Sequence, residues 1–408
     1  GKLQLKSNFS VEAAPDGVLL GVPLHIRRGP MIEAKSCENL SFFGGGRIDS
    51  GGDHSDVYKL LELIDCDNIR FFNFSLYQSV HDWCFLCENC SNVELDHFEL
   101  HGLKGRDGLD LVGCNNVSIH HSLILGSDDA LALKANTTIN SRRGQSYNSH
   151  NISVWNCELA SKDDNAMQFG SETPGNFSNI RFWNINVSSA GKAGIGITSN
   201  DGGYISDVHY DNIRMKNVAT PFWIKITNRT EPIGMIHDIY ISNIKVSHVY
   251  GITSQRNMTS TLDGFNATHL VGPNIVFTNV SIEYLGGGSL CAVDIQPPNP
   301  DTDYRPRYLG PRPSYAFYIR HAQGIQLTNI SVSFEAEDLR PAVFIEDSTH
   351  VQFVALSAER SYDTLSDCDV ITKNAVAVSV NSPSITTCEY DNIPDCPHTV
   401  YYYSPYDY

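Results

Sequence analysis

Three aspartates carry the residue types and the spacing for acid–base chemistry: Asp107 in GRDGLDLVG, and Asp128 with Asp129 in LGSDDALALK, where Asp128 follows Asp107 by 21 residues. Carboxylates crowded together repel, so one keeps its proton to higher pH while another stays ionised. Such a pair supplies a general acid for a leaving oxygen and a base for an attacking water, which is what hydrolysis of a glycosidic bond requires. The structural alternative is that Asp-Gly and Asp-Asp simply cap turns. That reading serves Asp110, Asp163 and Asp201 at least as well as a functional one.

Further polar residues follow at related places. SKDDNAMQFGSE holds Asn165, Gln168 and Glu172, AGIGITSNDGG holds Thr198, and PFWIKITNRT holds Lys225. These five are candidate substrate-binding residues, with Lys225 read equally well as a salt-bridge partner. Phe222, Trp223 and Tyr204 offer faces for stacking on sugar rings, although an aromatic on a strand is more often core.

The elements that must position these groups are legible from a repeat. A frame of two polar residues, Ile or Val, then alternation recurs as CENLSFF from Cys37, CDNIRFF from Cys66, CSNVELD from Cys90, CNNVSIH from Cys114, HNISVWN from His150 and SNIRFWN from Ser178. It continues as SDVHYDN from Ser206, HDIYISN from His237, PNIVFTN from Pro273, QGIQLTN from Gln323 and HVQFVAL from His350. Each frame alternates apolar and polar residues as a half-buried strand does.

The shortest interval, 24 residues, is too short for a strand–helix–strand unit, which needs about 30 or more. It suits a coil of three short strands stacked at about 4.8 Å. A propeller repeats at roughly 40–45 residues, and the consensus leucines of a horseshoe are missing. The expectation is an all-β chain, a single parallel β-helix of about ten or more coils over residues 1–408, with insertions near 252–272 and 294–315 and a covering segment after about residue 350. Residues at one offset in consecutive coils stack, so Asp107, Asp128, Asp129, Asn165, Thr198 and Lys225 are expected on one side. Cys37, Cys66, Cys90 and Cys114 head four successive frames and are expected to stack inside the coils.

Composition bounds the partners. Of 408 residues 41% are hydrophobic and 18% charged, and 46 acidic against 29 basic residues give a net charge of −17, which argues against nucleic acid and anionic membrane. The pI near 5.2 suits work in acid. No apolar run of membrane-spanning length occurs, and the chain reads as a mature form. Fourteen Asn-X-Ser/Thr sequons, from Asn8 to Asn329, favour N-linked glycans and an extracellular, secreted protein. Eleven cysteines are an odd number; Cys368, Cys388 and Cys396 are read as closing a C-terminal loop by a disulfide. Cys84, Cys87 and Cys90 superficially resemble a metal-ligand cluster, but no second cluster completes four ligands.

Taken together, these motifs resemble the polygalacturonase-like family 28 of glycoside hydrolases, over roughly residues 20 to 335. The family pattern, Asn-Thr-Asp-Gly-x-Asp and then an Asp-Asp pair, matches GRDGLD and the pair at Asp128. The resemblance implies a right-handed helix, an inverting single displacement with Asp128 as general acid, and Asp107 with Asp129 holding the water. It implies no metal and no cofactor.

The departures bear on substrate. The family's polygalacturonases carry Gly-His-Gly where DNAMQFGS puts Asn165, and Arg-Ile-Lys where GIGIT puts Gly196 and Thr198. The family's Arg and Lys bind uronate carboxylates, so an ordinary polygalacturonase is not expected. The rhamnogalacturonan-cleaving members resemble AMQFGS and SNDGG better. The leading expectation is therefore a secreted, monomeric hydrolase of a polysaccharide or oligosaccharide, rhamnogalacturonan-type pectin first. The alternatives are a β-helix lyase using calcium held by the carboxylates, and a non-catalytic carbohydrate-binding solenoid.

Overall fold

The computed structural model describes residues 2–21, 29–51, 59–77, 82–102, 106–136, 146–250, 259–361 and 367–392. Asn257, Cys396 and the tail from residue 393 fall outside them. The chain forms two compact units, residues 1–190 and 191–408, and each is an all-β solenoid of parallel strands.

In the first unit one column of strands runs Asp67–Tyr77, Ser91–Gly102, Asn115–His120 with Leu123–Gly126, then Ser149–Ser161. A second runs Lys59–Ile64, Phe85–Glu88, Leu109–Val112, Leu131–Lys134 and Met167–Phe169. In the second unit the first column runs Val208–Ile226, Ile239–Val249, Ile275–Gly286, Gln323–Ala336 and Thr349–Ala358.

Alternation along each strand sends every second side chain inward. Ile69, Val93, Val117, Ile152 and Ile180 stand in register and are all buried. Burying each such side chain contributes about 1.5–3 kcal/mol. Among the described residues helix is confined to short 3-10 turns such as Leu290–Asp294.

Asparagine makes the corners. Asn39, Asn68, Asn92, Asn116, Asn151 and Asn179 all hold φ between 52° and 57°, a left-handed conformation that Asn tolerates better than other side-chain-bearing residues. Their amides also bond coil to coil: Asn68 Nδ2 donates to Asn39 Oδ1 at 2.6 Å and Asn151 Nδ2 to Asn116 Oδ1 at 2.8 Å. Eight of the fourteen sequons, at Asn8, Asn39, Asn73, Asn89, Asn116, Asn151, Asn279 and Asn329, have this left-handed asparagine. Corner geometry therefore accounts for much of the sequon count without any glycan.

The cysteine frames stack as expected. Cys66, Cys90 and Cys114 are buried free thiols, with Cys114 Sγ donating to the Cys87 carbonyl at 3.3 Å. Since Asn115 pairs with His150, Ser149 stands at the place of Cys114, and the frame read from His150 starts one residue late. Cys368 is bonded to Cys388.

Two boundaries move. Ser260–Asp263, inside the expected insertion at 252–272, is a strand paired with Trp223–Lys225 and Phe317–Arg320. Beyond residue 350 the coils continue as far as the described residues go: Val370–Lys373, Ser379–Asn381 and Thr387–Glu389 all pair in parallel, and the part of the expected covering segment from residue 393 lies outside the described residues. Strands of three or four residues are too short to show the alternation by which the frames were found.

Candidate active site

The register places the acids. Leu109, Leu131 and Met167 are aligned, and Asp107, Asp129 and Asn165 each stand two residues before them in the connecting turns. Main-chain bonds fix this column: Gly108 N donates to Asp129 O at 2.8 Å, and Ala130 N to Asn165 O at 2.9 Å. Gly126 is needed where the chain turns into the pair, because a Cβ there would lie 2.2 Å from the Asp129 carbonyl oxygen.

Asp107, Asp128 and Asp129 bring one carboxylate oxygen each within 4.8 Å of the others. Asp107 and Asp129 are buried, whereas Asp128 is partly exposed. The Asp129 Oδ1 accepts from the Asn165 backbone N–H at 3.0 Å and from its Nδ2 at 2.7 Å, the surroundings of a carboxylate that accepts. Asn165, at the family's histidine place, thus steers Asp129. The three acids meet as the offsets predicted.

Lys134 was not singled out by sequence reasoning. Its Nζ lies 2.5 Å from Asp107 Oδ2, 2.7 Å from Asp110 Oδ1 and 3.7 Å from Glu172 Oε2, and 3.8 Å above the Trp83 ring centre. Burial pushes this ammonium's pKa down, but Asp107, Asp110, Glu172 and Asp129 outweigh it and hold the pKa well above the ordinary lysine value. Asp110 is no turn cap. It sits fully buried on the strand Leu109–Val112, and burial, with Asp107 beside it, drives its carboxyl well above the usual range despite Lys134. Lys134 thus bridges both acids, and of the two it is Asp110 whose surroundings favour the protonated form.

Trp83 occupies the Asp107 column one coil earlier, two residues before Phe85, which pairs with Leu109. A tryptophan at that offset was the available signal. Gln168 is buried and donates from Nε2 to the Phe169 carbonyl at 2.8 Å. Asp163 behaves as the turn reading expected: it is exposed, and its N–H donates to Ser127 O at 2.9 Å.

The second unit corrects two expectations. Thr198 is fully buried and accepts from Asn200 Nδ2 at 3.1 Å. Lys225 is fully buried too, with Nζ 2.7 Å from Asp263 Oδ2 and 3.0 Å from Asn299 Oδ1. Strand register shows why. Lys225, Asp263, Arg320, Glu346 and Lys373 are aligned on successive strands, a column of alternating charge in which Arg320 grips Asp263 through two bonds of 2.9 Å. Lys225 is an internal ion-pair partner, not a substrate-facing cation. Lys225→Met is accordingly expected to leave KM within about twofold of wild type in steady-state assays, since uniform substrate binding loses nothing. Phe222 and Trp223 are core, and Tyr204 is exposed. Asp201 is held by Arg229, Nη2 to Oδ2 at 2.6 Å.

The column also sets acid stability. Burial pushes the Asp263 carboxyl up, but Lys225 and Arg320 outweigh it, so it titrates below its ordinary 3.8. A depressed carboxylate stabilises the fold above its unfolded pKa and loses that contribution as pH falls through the folded one. The melting temperature is expected to hold through pH 4–6 and to drop below about pH 4, measured by circular dichroism.

A model of Glycosyl hydrolases family 28 matches residues 31–296, close to two thirds of the chain and inclusive of every residue named above as a site candidate. No curated protein matches. Among solved structures the chain resembles a hyperthermoactive exopolygalacturonase from Thermotoga maritima, at 15% identity and TM-score 0.53 over 88% of this chain and 81% of that one. It resembles a family 28 exopolygalacturonase from Yersinia enterocolitica at 14% identity and TM-score 0.54, over 94% and 71%. A polygalacturonase from Erwinia carotovora ssp. carotovora matches at 20% identity and TM-score 0.50, over 69% and 82%. These likenesses bear on fold alone. The three clustered carboxylates and the family match over residues 31–296 lead to one conclusion: the chain belongs to family 28 of the glycosyl hydrolases and is a polygalacturonase-like glycosidase.

Proposed function

We propose that this protein hydrolyses rhamnogalacturonan-type pectin with inversion, Asp128 protonating the leaving oxygen while Asp107 and Asp129 hold and activate the water. The observation that carries the reading is the cluster itself: two buried acids flank the partly exposed Asp128, with oxygens within 4.8 Å of one another.

Inversion usually goes with carboxylates about 6.5–9.5 Å apart, leaving room for a water between acid and base. The spacing here is tighter than that. Two carboxylates that share the water between them, Asp107 and Asp129, relieve the requirement, because the water need not bridge the full gap to Asp128. Retention through a covalent intermediate on one of the three is the competing geometry.

Substrate choice rests on what the uronate-binding positions hold. Gly196 and Thr198 offer no cation, Thr198 is buried, and Lys225 is occupied by Asp263. A neutral sugar at the cleaved position suits such a site better than galacturonate. The calcium-lyase reading is disfavoured by Lys134, whose ammonium would repel a divalent cation seated on Asp107. Retention of three clustered acids weighs against a purely binding solenoid.

The test is reducing-sugar release at pH 4–6 from a panel of neutral and acidic polysaccharides, with the first-formed anomer followed by NMR. Release from rhamnogalacturonan with the inverted anomer is expected. Equal release from polygalacturonate would overturn the substrate assignment, and a retained anomer the mechanism. Secretion is part of the proposal; the Cys368–Cys388 bond supports it, because such bonds persist in oxidising compartments.

A further inference from the structure

Away from the aspartates, the first unit carries a second cluster of chemically able side chains. In register on consecutive coils, Asp96 stands beside His120, and the next residue of each coil is His97 and His121. The four form a two-by-two array, Asp-His over His-His. Asp96 Oδ1 lies 2.7 Å from His97 Nδ1, 3.0 Å from His120 Nδ1 and 3.4 Å from His121 Nδ1, and the last two nitrogens are 3.1 Å apart.

The stacking rules of the fold do not call for histidine here. His97 and His121, both at φ 50°, occupy a left-handed corner column that holds Asn73 one coil earlier and Asn156 and Asn184 on the coils after. Asparagine fills that column on both sides, so fold alone is served by asparagine. Imidazole adds a nitrogen ligand that an amide lacks.

We propose that Asp96, His97 and His121, with His120 alongside, form a binding site for a late first-row divalent metal ion such as Zn²⁺. Tetrahedral zinc with bonds of about 2.0–2.1 Å sets its ligand atoms roughly 3.3 Å apart; the separations of His97 and His121 from Asp96, 2.7 and 3.4 Å, straddle that value, and all three ligand atoms lie within 4.8 Å of one another. Nitrogen-rich ligation selects Zn²⁺, Ni²⁺ or Cu²⁺ over Ca²⁺ and Mg²⁺. The metal would tie one coil to the next on the outside of the stack. His97 and His121 are about half exposed, so the ion is exchangeable.

Metal on His121 Nδ1 requires a proton on its Nε2. In the structure Nε2 lies 3.1 Å from Asn156 Nδ2, so binding turns the Asn156 amide to present Oδ1, and the bond of 3.0 Å that Asn184 Nδ2 donates to that oxygen is exchanged as the Asn184 amide turns with it.

The test is titration of the folded, metal-free protein with Co²⁺, followed by its visible absorption and displaced by Zn²⁺. The comparison is a His97→Asn/His121→Asn variant, which installs the neighbouring coils' own residue and is designed to fold. One equivalent with an intense tetrahedral spectrum is expected for the wild type, and affinity weaker by about 100-fold in the variant. Oxygen-only binding at Asp107, Asp128 and Asp129 gives a weak octahedral spectrum and survives in the variant, so the two sites are told apart. Equal tetrahedral binding in both proteins, or none in the wild type up to about 1 mM metal, overturns the proposal.

Discussion

Asp128→Asn is expected to lower kcat on a polysaccharide substrate by about 10²–10⁴, the usual contribution of a positioned proton donor, with KM little changed. Asparagine keeps the side chain's shape and loses only the transferable proton. Main-chain bonds hold the turn: the Asp128 N–H donates to Arg106 O at 3.0 Å, and its carbonyl accepts from Ser161 Oγ at 2.6 Å. The melting temperature should therefore stay put. A substrate whose leaving group needs no protonation, such as an activated aryl glycoside, should recover most of the lost rate in Asp128→Asn and none in Asp107→Asn or Asp129→Asn. Recovery in one of those two instead would move the acid role to that residue.

The coil architecture was readable because the solenoid forces one residue pattern to recur: an inward Ile or Val flanked by a corner that only a left-handed residue can turn. Asn92, Asn116 and Asn151 announce that corner, and the strands follow from it. The three acids were readable for a related reason, since a two-residue offset before each strand is preserved from Asp107 to Asp129 to Asn165. Where coils shorten to strands such as Ser379–Asn381, the pattern has too few residues to show, and the strands between residues 370 and 389 were not read as coils.

Offsets say which residues share a column but not how far a side chain reaches. Lys134 pairs in register with Val112, three residues beyond the start of its strand, yet its long side chain carries Nζ to Asp107. That reach is invisible in a frame of offsets. The same limit misplaced Lys225: an offset could not show that Asp263, in register on the next strand, pairs with it in the interior. The partner was hidden because Ser260–Asp263 had been read as insertion.

The second large effect is expected at that missed lysine. Lys134→Met keeps the volume of the side chain, and the sulfur retains a favourable contact with Trp83, so packing is largely preserved. What is lost is the only cation within salt-bridge distance of Asp107 among the described residues. Removing one partner of a buried ion pair costs about 3–5 kcal/mol, to be read as a fall in unfolding free energy in urea at pH 7. The double variant Lys134→Met/Asp107→Asn should be more stable than Lys134→Met alone, because neither charge then remains. Catalysis supplies the readout that a purely structural lysine would not move. Lys134 Nζ holds Asp107 at 2.5 Å, so without it the carboxylate loses a contact that places it, and kcat should fall under conditions where Lys134→Met is still folded, with Lys134→Arg restoring part of the loss. An unchanged kcat, with only the stability changed, would mean that Lys134 supports the fold and leaves the placing of Asp107 to its other neighbours.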